Sequence, residues 1–184
     1  MPEQNTRRRL RRAAAFVCSL LLSSAALSVP SAAGAAACPP ASVGGKQVGK
    51  VVVGKVTVGN KIIVVGGELD AAPSNKVASV VTDWRPLSAT SGTTVLLWHS
   101  RFGAGCNGTL NVLFDKRIGD TFKIVDAKGT ATVYEVAAIN TVAKGKYWDA
   151  WFRYDGPRQL TLVTCTGLLD GEFTQNYVIT AVPA

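Results

Sequence analysis

Short runs of apolar and β-branched residues recur along most of the chain, and turn-forming residues separate them. The runs cover residues 48–58, 61–65, 94–99, 110–114, 121–125, 130–140, 160–165 and 177–182. Their lengths, their β-branched content and the alternation of apolar with polar positions are typical of β-strands. About eight short strands at regular spacing predict an all-β domain in the form of a closed or nearly closed eight-stranded β-barrel.

The segments between the runs predict the connections of this barrel. Gly59-Asn60 predicts a tight hairpin turn between the first two strands. Asp126-Ala127-Lys128-Gly129 predicts a turn between the strands at 121–125 and 130–140. The stretch at 69–81 is expected to contain a short helix, so that the barrel carries one or two short helices in all.

The N-terminal segment has the pattern of an export signal. Five arginines between positions 7 and 12 precede an uncharged stretch from Ala13 to Ala37. A cleaved signal peptide is favoured by the small residues at 35–37 and by Pro30. A retained anchor in the cytoplasmic membrane is favoured by the 25 uncharged residues, which are enough to span a bilayer.

We therefore predict three parts: a signal peptide or membrane anchor at 1–37, a linker at 38–47, and one domain at 48–184. In either case the domain is expected to work outside the cytoplasm, as a secreted or membrane-anchored protein. The net charge of +8 owes half of its value to the first 38 residues, which hold five arginines and one glutamate. The remaining basic residues are spread without a cluster, so no nucleic-acid partner is predicted.

The candidate chemistry is carried by Cys165, at the end of an apolar run, and by His99, the single histidine of the chain. A thiol needs a base or an ion-pair partner to be a strong nucleophile near neutral pH, and imidazole is the usual one. The alternative is structural, because a cysteine in an apolar strand is commonly a small core residue. The cysteines lack C-x₂-C spacing and the glycines lack the pattern of a phosphate loop, so neither a metal nor a cofactor is predicted.

The motifs and their order resemble those of the sortases, the cysteine transpeptidases of Gram-positive surfaces. The segment from Thr161 to Cys165 matches the T-L-x-T-C signature of that family, and Gly119-Asp120-Thr121-Phe122 resembles its GD turn. The segment from Val95 to His99 resembles its histidine strand. The resemblance covers residues 48–182, implies the eight-stranded sortase barrel, and points to the compact actinobacterial subgroup called class F.

This resemblance implies acyl transfer without a cofactor. Cys165 would attack the carbonyl between threonine and glycine in an LPXTG-like sorting signal, and His99 would protonate the leaving amine. The implied partners are surface proteins with such a signal and an amine from a peptidoglycan precursor or a pilin. Four further residues are expected to contact the substrate: Thr164, Thr174, Trp148 and Trp151. For the two tryptophans, the alternative is packing in the core.

The chain departs from the family at one place. Sortases carry an arginine shortly after the cysteine, but residues 166–178 contain neither arginine nor lysine. The equivalent place falls at Thr174 or Gln175. Gln175 would serve as a neutral donor, although an amide donates more weakly than a guanidinium. Arg101 is a second candidate, because strand alternation would place it on the same face as His99.

Two other functions remain open at this point. Without the arginine, the chain is alternatively a weak or inactive sortase-fold module that binds sorting-signal or wall peptides. Loss of one oxyanion donor commonly costs about 10²–10³ in rate. An L,D-transpeptidase is disfavoured because no histidine adjoins Cys165, as it does in the S-H-G-C pattern of those enzymes.

The exported part contains three cysteines, Cys38, Cys106 and Cys165. An odd number in an oxidising compartment suggests one disulfide and one free thiol. We expect Cys38 to pair with Cys106 and to leave Cys165 free. The alternative pairing of Cys106 with Cys165 would give an oxidised resting state.

Overall fold

The described part of the chain forms a closed eight-stranded β-barrel. The computed structural model describes residues 45–54, 56–64, 76–101, 106–146 and 149–184. The strands are β1 (Lys46–Val53), β2 (Val56–Val64), β3 (Val77–Val80), β4 (Thr93–Leu97), β5 (Thr121–Asp126), β6 (Ala131–Ala143), β7 (Gln159–Leu169) and β8 (Glu172–Pro183). Two short 3₁₀ helices, η1 (Thr109–Asp115) and η2 (Asp149–Trp151), complete the elements. The predicted all-β, eight-stranded barrel with one or two short helices is confirmed.

The order of the strands around the barrel is β1-β2-β3-β4-β7-β8-β6-β5, and β5 closes the barrel by pairing with β1. Most neighbours are antiparallel, but β3 runs parallel to β2 and β7 runs parallel to β4. The β4–β7 pair joins the segment that holds His99 to the segment that holds Cys165. This pair therefore decides how the two residues predicted to carry the chemistry stand relative to each other.

The first hairpin turns earlier than predicted. Gly54 has a φ of +63°, and the strands on either side of it pair as Val53 with Val56. Asn60 lies inside β2, opposite Val51, next to an irregularity in the ladder. The prediction of a turn at Gly59-Asn60 is wrong because the turn at Gly54 supplies the required left-handed conformation, while a glycine inside a strand often marks a bulge.

Residues 77–80 form the buried strand β3. Residues 65–75, which contain most of the stretch expected to hold a short helix, lie outside the described residues, so that helix stays a prediction. One element differs from the sequence-based expectation. Residues 110–114 belong to the 3₁₀ helix η1, where a strand was expected. In η1 the buried residues are Leu110 and Leu113, a spacing of three that matches the 3₁₀ period.

The barrel has two apolar clusters on opposite faces of β4, β7 and β8. The interior cluster fills the barrel and contains Leu96, Trp98, Leu160, Leu162 and Ile179 among others. The outer cluster lies between these strands and the segments that cover them; its buried members are Val81, Trp84, Val95, Leu97, Trp151, Val163 and Val178. Side chains alternate between the two faces along a strand. A residue of these strands therefore points to the barrel interior if it belongs to the interior cluster, and to the outer face if it belongs to the outer cluster.

The predicted export segment at 1–37 and most of the predicted linker at 38–47 lie outside the described residues. The strand β1 begins at Lys46, so the barrel starts within the last residues assigned to the linker. Within the described ranges, no helix has the length and apolar character needed to cross a membrane.

Candidate active site

The ends of β4 and β7 bring the two predicted catalytic residues together. The parallel register pairs Leu97 with Val163, and the amide of Trp98 donates to the carbonyl of Val163 at 3.2 Å. Continuing the register by two residues places His99 beside Cys165. Two residues 66 positions apart in the chain thus become neighbours because their strands pair.

Side-chain hydrogen bonds hold this end of the strand pair in place. The hydroxyl of Thr164 donates to the carbonyl of Trp98 at 2.7 Å, and the hydroxyl of Ser100 donates to the carbonyl of Cys165 at 2.6 Å. Both hydroxyls are buried, and a buried hydrogen bond that is lost leaves an unpaired polar group at a cost of about 1–3 kcal/mol. The segment around His99 is therefore fixed against β7 beyond the last regular strand residue.

Both predicted catalytic residues continue the outer face of their strands. Val95 and Leu97 of β4 pack in the outer cluster with Val163 of β7, and the residues between them belong to the interior cluster. Alternation then places His99 and Cys165 on the outer face, at the end of the outer cluster. Cys165 is 6% exposed, and His99 is partly exposed.

The expectation that Cys165 is a free thiol is wrong. Cys165 and Cys106 are both disulfide-bonded, and the described residues contain no free cysteine. The expected partner of Cys106, Cys38, lies outside the described residues. The nucleophile predicted from the sequence is therefore present in an oxidised form.

The segment after β4 turns back toward Cys165. Arg101 pairs with Asn107 in an antiparallel bridge, and the amide of Gly108 donates to the carbonyl of Ser100 at 2.8 Å. Cys106 directly precedes this bridge and is buried, with 3% of its surface exposed. Since Ser100 also donates to the carbonyl of Cys165, these contacts bring Cys106 to the end of β7.

Gly108 allows this return to pack closely on the histidine. A Cβ atom at Gly108 would overlap the carbonyl oxygen of His99, so a larger residue would push the two segments apart. The side-chain amide of Asn111 in η1 donates to the carbonyl of Ser100 at 2.8 Å and adds a second tie from the same side. The backbone of His99 is thus held by β7 on one side and by the entry to η1 on the other.

The register of β7 with β8 identifies a residue that the sequence analysis missed. Asn176 lies directly opposite Cys165, and its neighbour Val178 belongs to the outer cluster. Directly opposed residues of an antiparallel pair point to the same face, so Asn176 and Cys165 share the outer face. Gln175 lies opposite Thr166 and points to the other face, which contradicts its predicted role beside the thiol.

The other predicted polar site residues differ in their burial and in their hydrogen bonds. Thr164 is fully buried and its hydroxyl donates to the carbonyl of Trp98, and the substrate contact expected of Thr164 stays a prediction. Thr174 is exposed, and its hydroxyl donates to the carbonyl of Gly167 at 2.7 Å. Arg101 is exposed beyond the end of β4, and its catalytic role stays a prediction.

Trp151 packs within the outer cluster. It is 4% exposed, and its ring meets that of Phe152 edge-on at 6.5 Å between centroids. Phe152 and Tyr154 in turn pack against Trp84, at 5.3 and 4.9 Å. These contacts anchor the β6–β7 connection over β4 and β7. Trp148, the other aromatic residue predicted to contact substrate, lies outside the described residues.

Tyr177 is the titratable residue next to Asn176 on β8. Burial raises the pKa of Tyr177 above its usual value, and the negative charge of Asp115 raises it further. A phenol whose pKa lies above 10 is neutral at physiological pH. Tyr177 is therefore neutral, and it packs against the interior cluster, on the other face of β8 from Asn176. Its ring packs edge-on against Phe114 at 4.7 Å and ties β8 to η1.

The described residues contain no group of three or more histidine, cysteine or carboxylate side chains that would hold a metal ion. The site described above brings together a cysteine, an imidazole and neighbouring hydrogen-bond donors. A cysteine beside a histidine on the outside of a β-barrel is an arrangement for nucleophilic catalysis.

Comparison with known proteins agrees with this class. Residues 55–184 match the family model described as Sortase domain, and the chain belongs to the sortase family. No curated protein matches the chain. Sortase C-1 from Actinomyces oris is 20% identical with a TM-score of 0.60, and the alignment covers 76% of this chain and 75% of that one. Sortase A from Corynebacterium diphtheriae is 17% identical with a TM-score of 0.59, over 77% and 62% of the two chains.

A third structure with the same fold is the complex of Streptococcus agalactiae sortase C1 with MTSET. It is 18% identical to this chain, has a TM-score of 0.58, and is aligned over 75% of this chain and 67% of its own. At these identities the likeness concerns the fold. The family assignment confirms the predicted resemblance to sortases and supports a sortase-type function.

Proposed function

We propose that the protein is a cysteine transpeptidase that cleaves an LPXTG-like sorting signal and transfers the acyl fragment to a cell-surface amine. Cys165 is the nucleophile and His99 is the general acid and base. The observation that carries the proposal is the parallel β4–β7 register, which sets His99 beside Cys165 on the outer face of the barrel. Membership of the sortase family supports the same class of reaction.

The first half-reaction forms a thioacyl-enzyme. The sulfur of reduced Cys165 attacks the threonine carbonyl of the sorting signal, and the carbonyl oxygen gains the negative charge of a tetrahedral intermediate. Collapse of this intermediate breaks the bond between threonine and glycine. The glycine nitrogen leaves as an amine after it accepts a proton from the imidazole of His99.

The second half-reaction returns the enzyme to its starting state. An incoming amine gives its proton to His99 and attacks the thioacyl carbonyl. The sulfur of Cys165 then leaves, and the new amide bond links the surface protein to its acceptor. Water in place of the amine gives hydrolysis, so the ratio of the two products measures how well the acceptor binds.

The outer cluster supports a binding site for the apolar part of the signal. It runs along β4 and β7 up to Cys165, under the β6–β7 connection that Trp84, Phe152 and Tyr154 anchor. Its partly buried members are Val142, Phe152 and Tyr154, and a substrate would place its leucine and proline against these side chains while its threonine carbonyl reaches the sulfur. The arginine-rich N-terminal pattern supports export, so that the domain meets its substrates outside the cytoplasm.

The test is mass spectrometry of the purified, reduced protein with a panel of LPXTG-like peptides, with and without an amine acceptor. We expect an acyl adduct on Cys165 without acceptor, because a thioacyl-enzyme accumulates when only water competes. Addition of the amine should convert the adduct into a ligated peptide. A reduced and folded protein that forms no adduct with any peptide of the panel would contradict the proposal.

A second candidate function is favoured by one observation. The segment after Cys165 contains no arginine, and this supports a module that binds sorting-signal or wall peptides with little turnover. The same panel distinguishes the two functions. A binding module retains the peptide in equilibrium dialysis but leaves it uncleaved, whereas a transpeptidase consumes it.

A further inference from the structure

The proposed reaction requires a hydrogen-bond donor that neither Cys165 nor His99 supplies. Negative charge develops on the carbonyl oxygen in the tetrahedral intermediate, and a donor aimed at this oxygen stabilises the transition state. Such a donor has to lie on the outer face of the sheet, near the sulfur of Cys165. The inference drawn from this requirement rests on the proposed function.

Asn176 occupies that position. It pairs directly with Cys165 across the β7–β8 ladder, and directly opposed residues have Cβ atoms about 4.5–5.5 Å apart. The side chain of Asn176 is partly buried, and its Oδ1 atom is buried without a hydrogen-bond partner in the protein. Rotation of the side-chain amide by 180° exchanges Oδ1 with Nδ2. The NH₂ group, a hydrogen-bond donor, then occupies the position where Oδ1 has no partner.

The neighbouring donors are less well placed. Gln175 points to the opposite face of the hairpin, and the hydroxyl of Thr174 donates to the carbonyl of Gly167. Arg101 is exposed beyond the end of β4. We propose that Asn176 donates from Nδ2 to the oxyanion of the tetrahedral intermediate, in the place where this chain carries no cationic donor.

The test compares Asn176→Ala with the matched control Gln175→Ala, using reduced protein and a cleaved sorting-signal peptide. We expect Asn176→Ala to lower kcat by about 10²–10³ with a small change in KM, because the donor acts in the transition state. Gln175→Ala, one residue away on the other face, should stay within about threefold of the wild-type protein. Asn176→Asp should lose at least as much as the alanine variant, since a carboxylate accepts and repels the oxyanion.

A second readout separates this role from a structural one. Alkylation of Cys165 by iodoacetamide involves no oxyanion, so its rate should be the same in the wild-type protein and in Asn176→Ala. An active wild-type protein with an unchanged kcat in Asn176→Ala would overturn the inference and leave the proposed function standing. Parallel losses of acylation and alkylation in Asn176→Ala would overturn it as well. If no peptide of the panel gave an acyl adduct on the wild-type protein, the proposed function itself would be overturned.

Cys106 and Cys165 are both disulfide-bonded, both are buried, and the Arg101–Asn107 bridge brings Cys106 to the end of β7. We infer that Cys106 and Cys165 are bonded to each other and that this disulfide keeps the proposed nucleophile inactive until a dithiol reduces it. Cys106 is then the residue through which the redox state of the surroundings controls acyl transfer.

The activating step is a thiol–disulfide exchange. One thiolate of the dithiol attacks a sulfur of the Cys106–Cys165 bond and forms a mixed disulfide, and the other cysteine leaves as a thiolate. The second thiol of the reagent then attacks the mixed disulfide and releases the remaining cysteine. Two electrons pass from the dithiol to the protein, which gains two thiols while the reagent becomes a cyclic disulfide.

The test begins with a non-reducing peptide map of the full chain, which should contain a Cys106–Cys165 linked peptide. The unreduced protein should show less than about one hundredth of the peptide cleavage that it shows with dithiothreitol, because the thiolate is the nucleophile. Cys106→Ser should be active without dithiothreitol. A map in which Cys38 is linked to either cysteine, or full activity of the unreduced wild-type protein, would overturn the inference. The wild-type comparison decides the matter even if Cys106→Ser folds poorly.

Discussion

Replacing Cys165 by alanine is expected to lower the rate of sorting-signal cleavage by at least about 10⁴-fold, to below detection in an ordinary assay. The sulfur forms the covalent bond of the proposed thioacyl-enzyme, and Cys165 is the cysteine that the β4–β7 register sets beside His99. The measurement is peptide consumption and product formation by mass spectrometry, with reduced protein. The acyl adduct on the protein should disappear in the same variant.

The matched control is Cys106→Ala. Cys165 and Cys106 are both disulfide-bonded, and loss of a native disulfide in a small exported domain costs about 2–5 kcal/mol of stability. If the two are bonded to each other, both variants lose the same disulfide, but only Cys165→Ala loses the nucleophile. Equal melting temperatures together with activity in Cys106→Ala alone would assign the effect to chemistry. A Cys165→Ala variant that still cleaves the signal would refute the proposed mechanism.

The second large effect is expected for His99→Ala, which should lower kcat/KM by about 10²–10⁴-fold, the usual contribution of general acid–base catalysis. The variant lacks the group proposed to protonate the leaving amine and to take the proton of the incoming one. It should also react more slowly with iodoacetamide, because the thiolate loses its neighbouring imidazole. The measurements are steady-state cleavage and the alkylation rate of Cys165, both with reduced protein.

Lys123→Ala is the control for this variant, since Lys123 is exposed on β5, away from the β4–β7 pair. It should cleave and alkylate at the wild-type rates. If His99→Ala kept its activity within a few-fold of wild type, the acid and base would have to be another residue. If His99→Ala lost cleavage but kept the wild-type alkylation rate, His99 would act in proton transfer to the peptide and not in activating the thiol.

The sequence allowed the proposed catalytic pair to be named, because a chain with one histidine offers a single choice of imidazole. It also allowed the strand-rich frame to be predicted, since apolar and β-branched runs of five to eleven residues are typical of strands. The turn at Asp126 could be predicted for a local reason. Its carboxylate accepts from the backbone amides of Lys128 and Thr130, both at 2.9 Å, within five consecutive residues.

The errors of the sequence analysis arose where two local signals competed. Gly59-Asn60 and Gly54 both favour a turn, and the hairpin turned at Gly54. Leu110 and Leu113 suit a 3₁₀ helix by their spacing, yet the run that contains them is also short and apolar enough for a strand. In such cases the pairing partners elsewhere in the fold determine the outcome, and a single segment does not contain that information.

By itself, then, the sequence determined the all-β character of the domain, the identity of the candidate nucleophile and base, and the absence of an arginine after Cys165. The tertiary structure alone decided that Asn176, and not Gln175, shares a face with Cys165, and that Cys106 returns to the end of β7. The reason is that strand residues alternate between faces with a period of two, so a shift of one residue in a ladder exchanges the faces. Composition and spacing leave that register open, and the packed barrel fixes it.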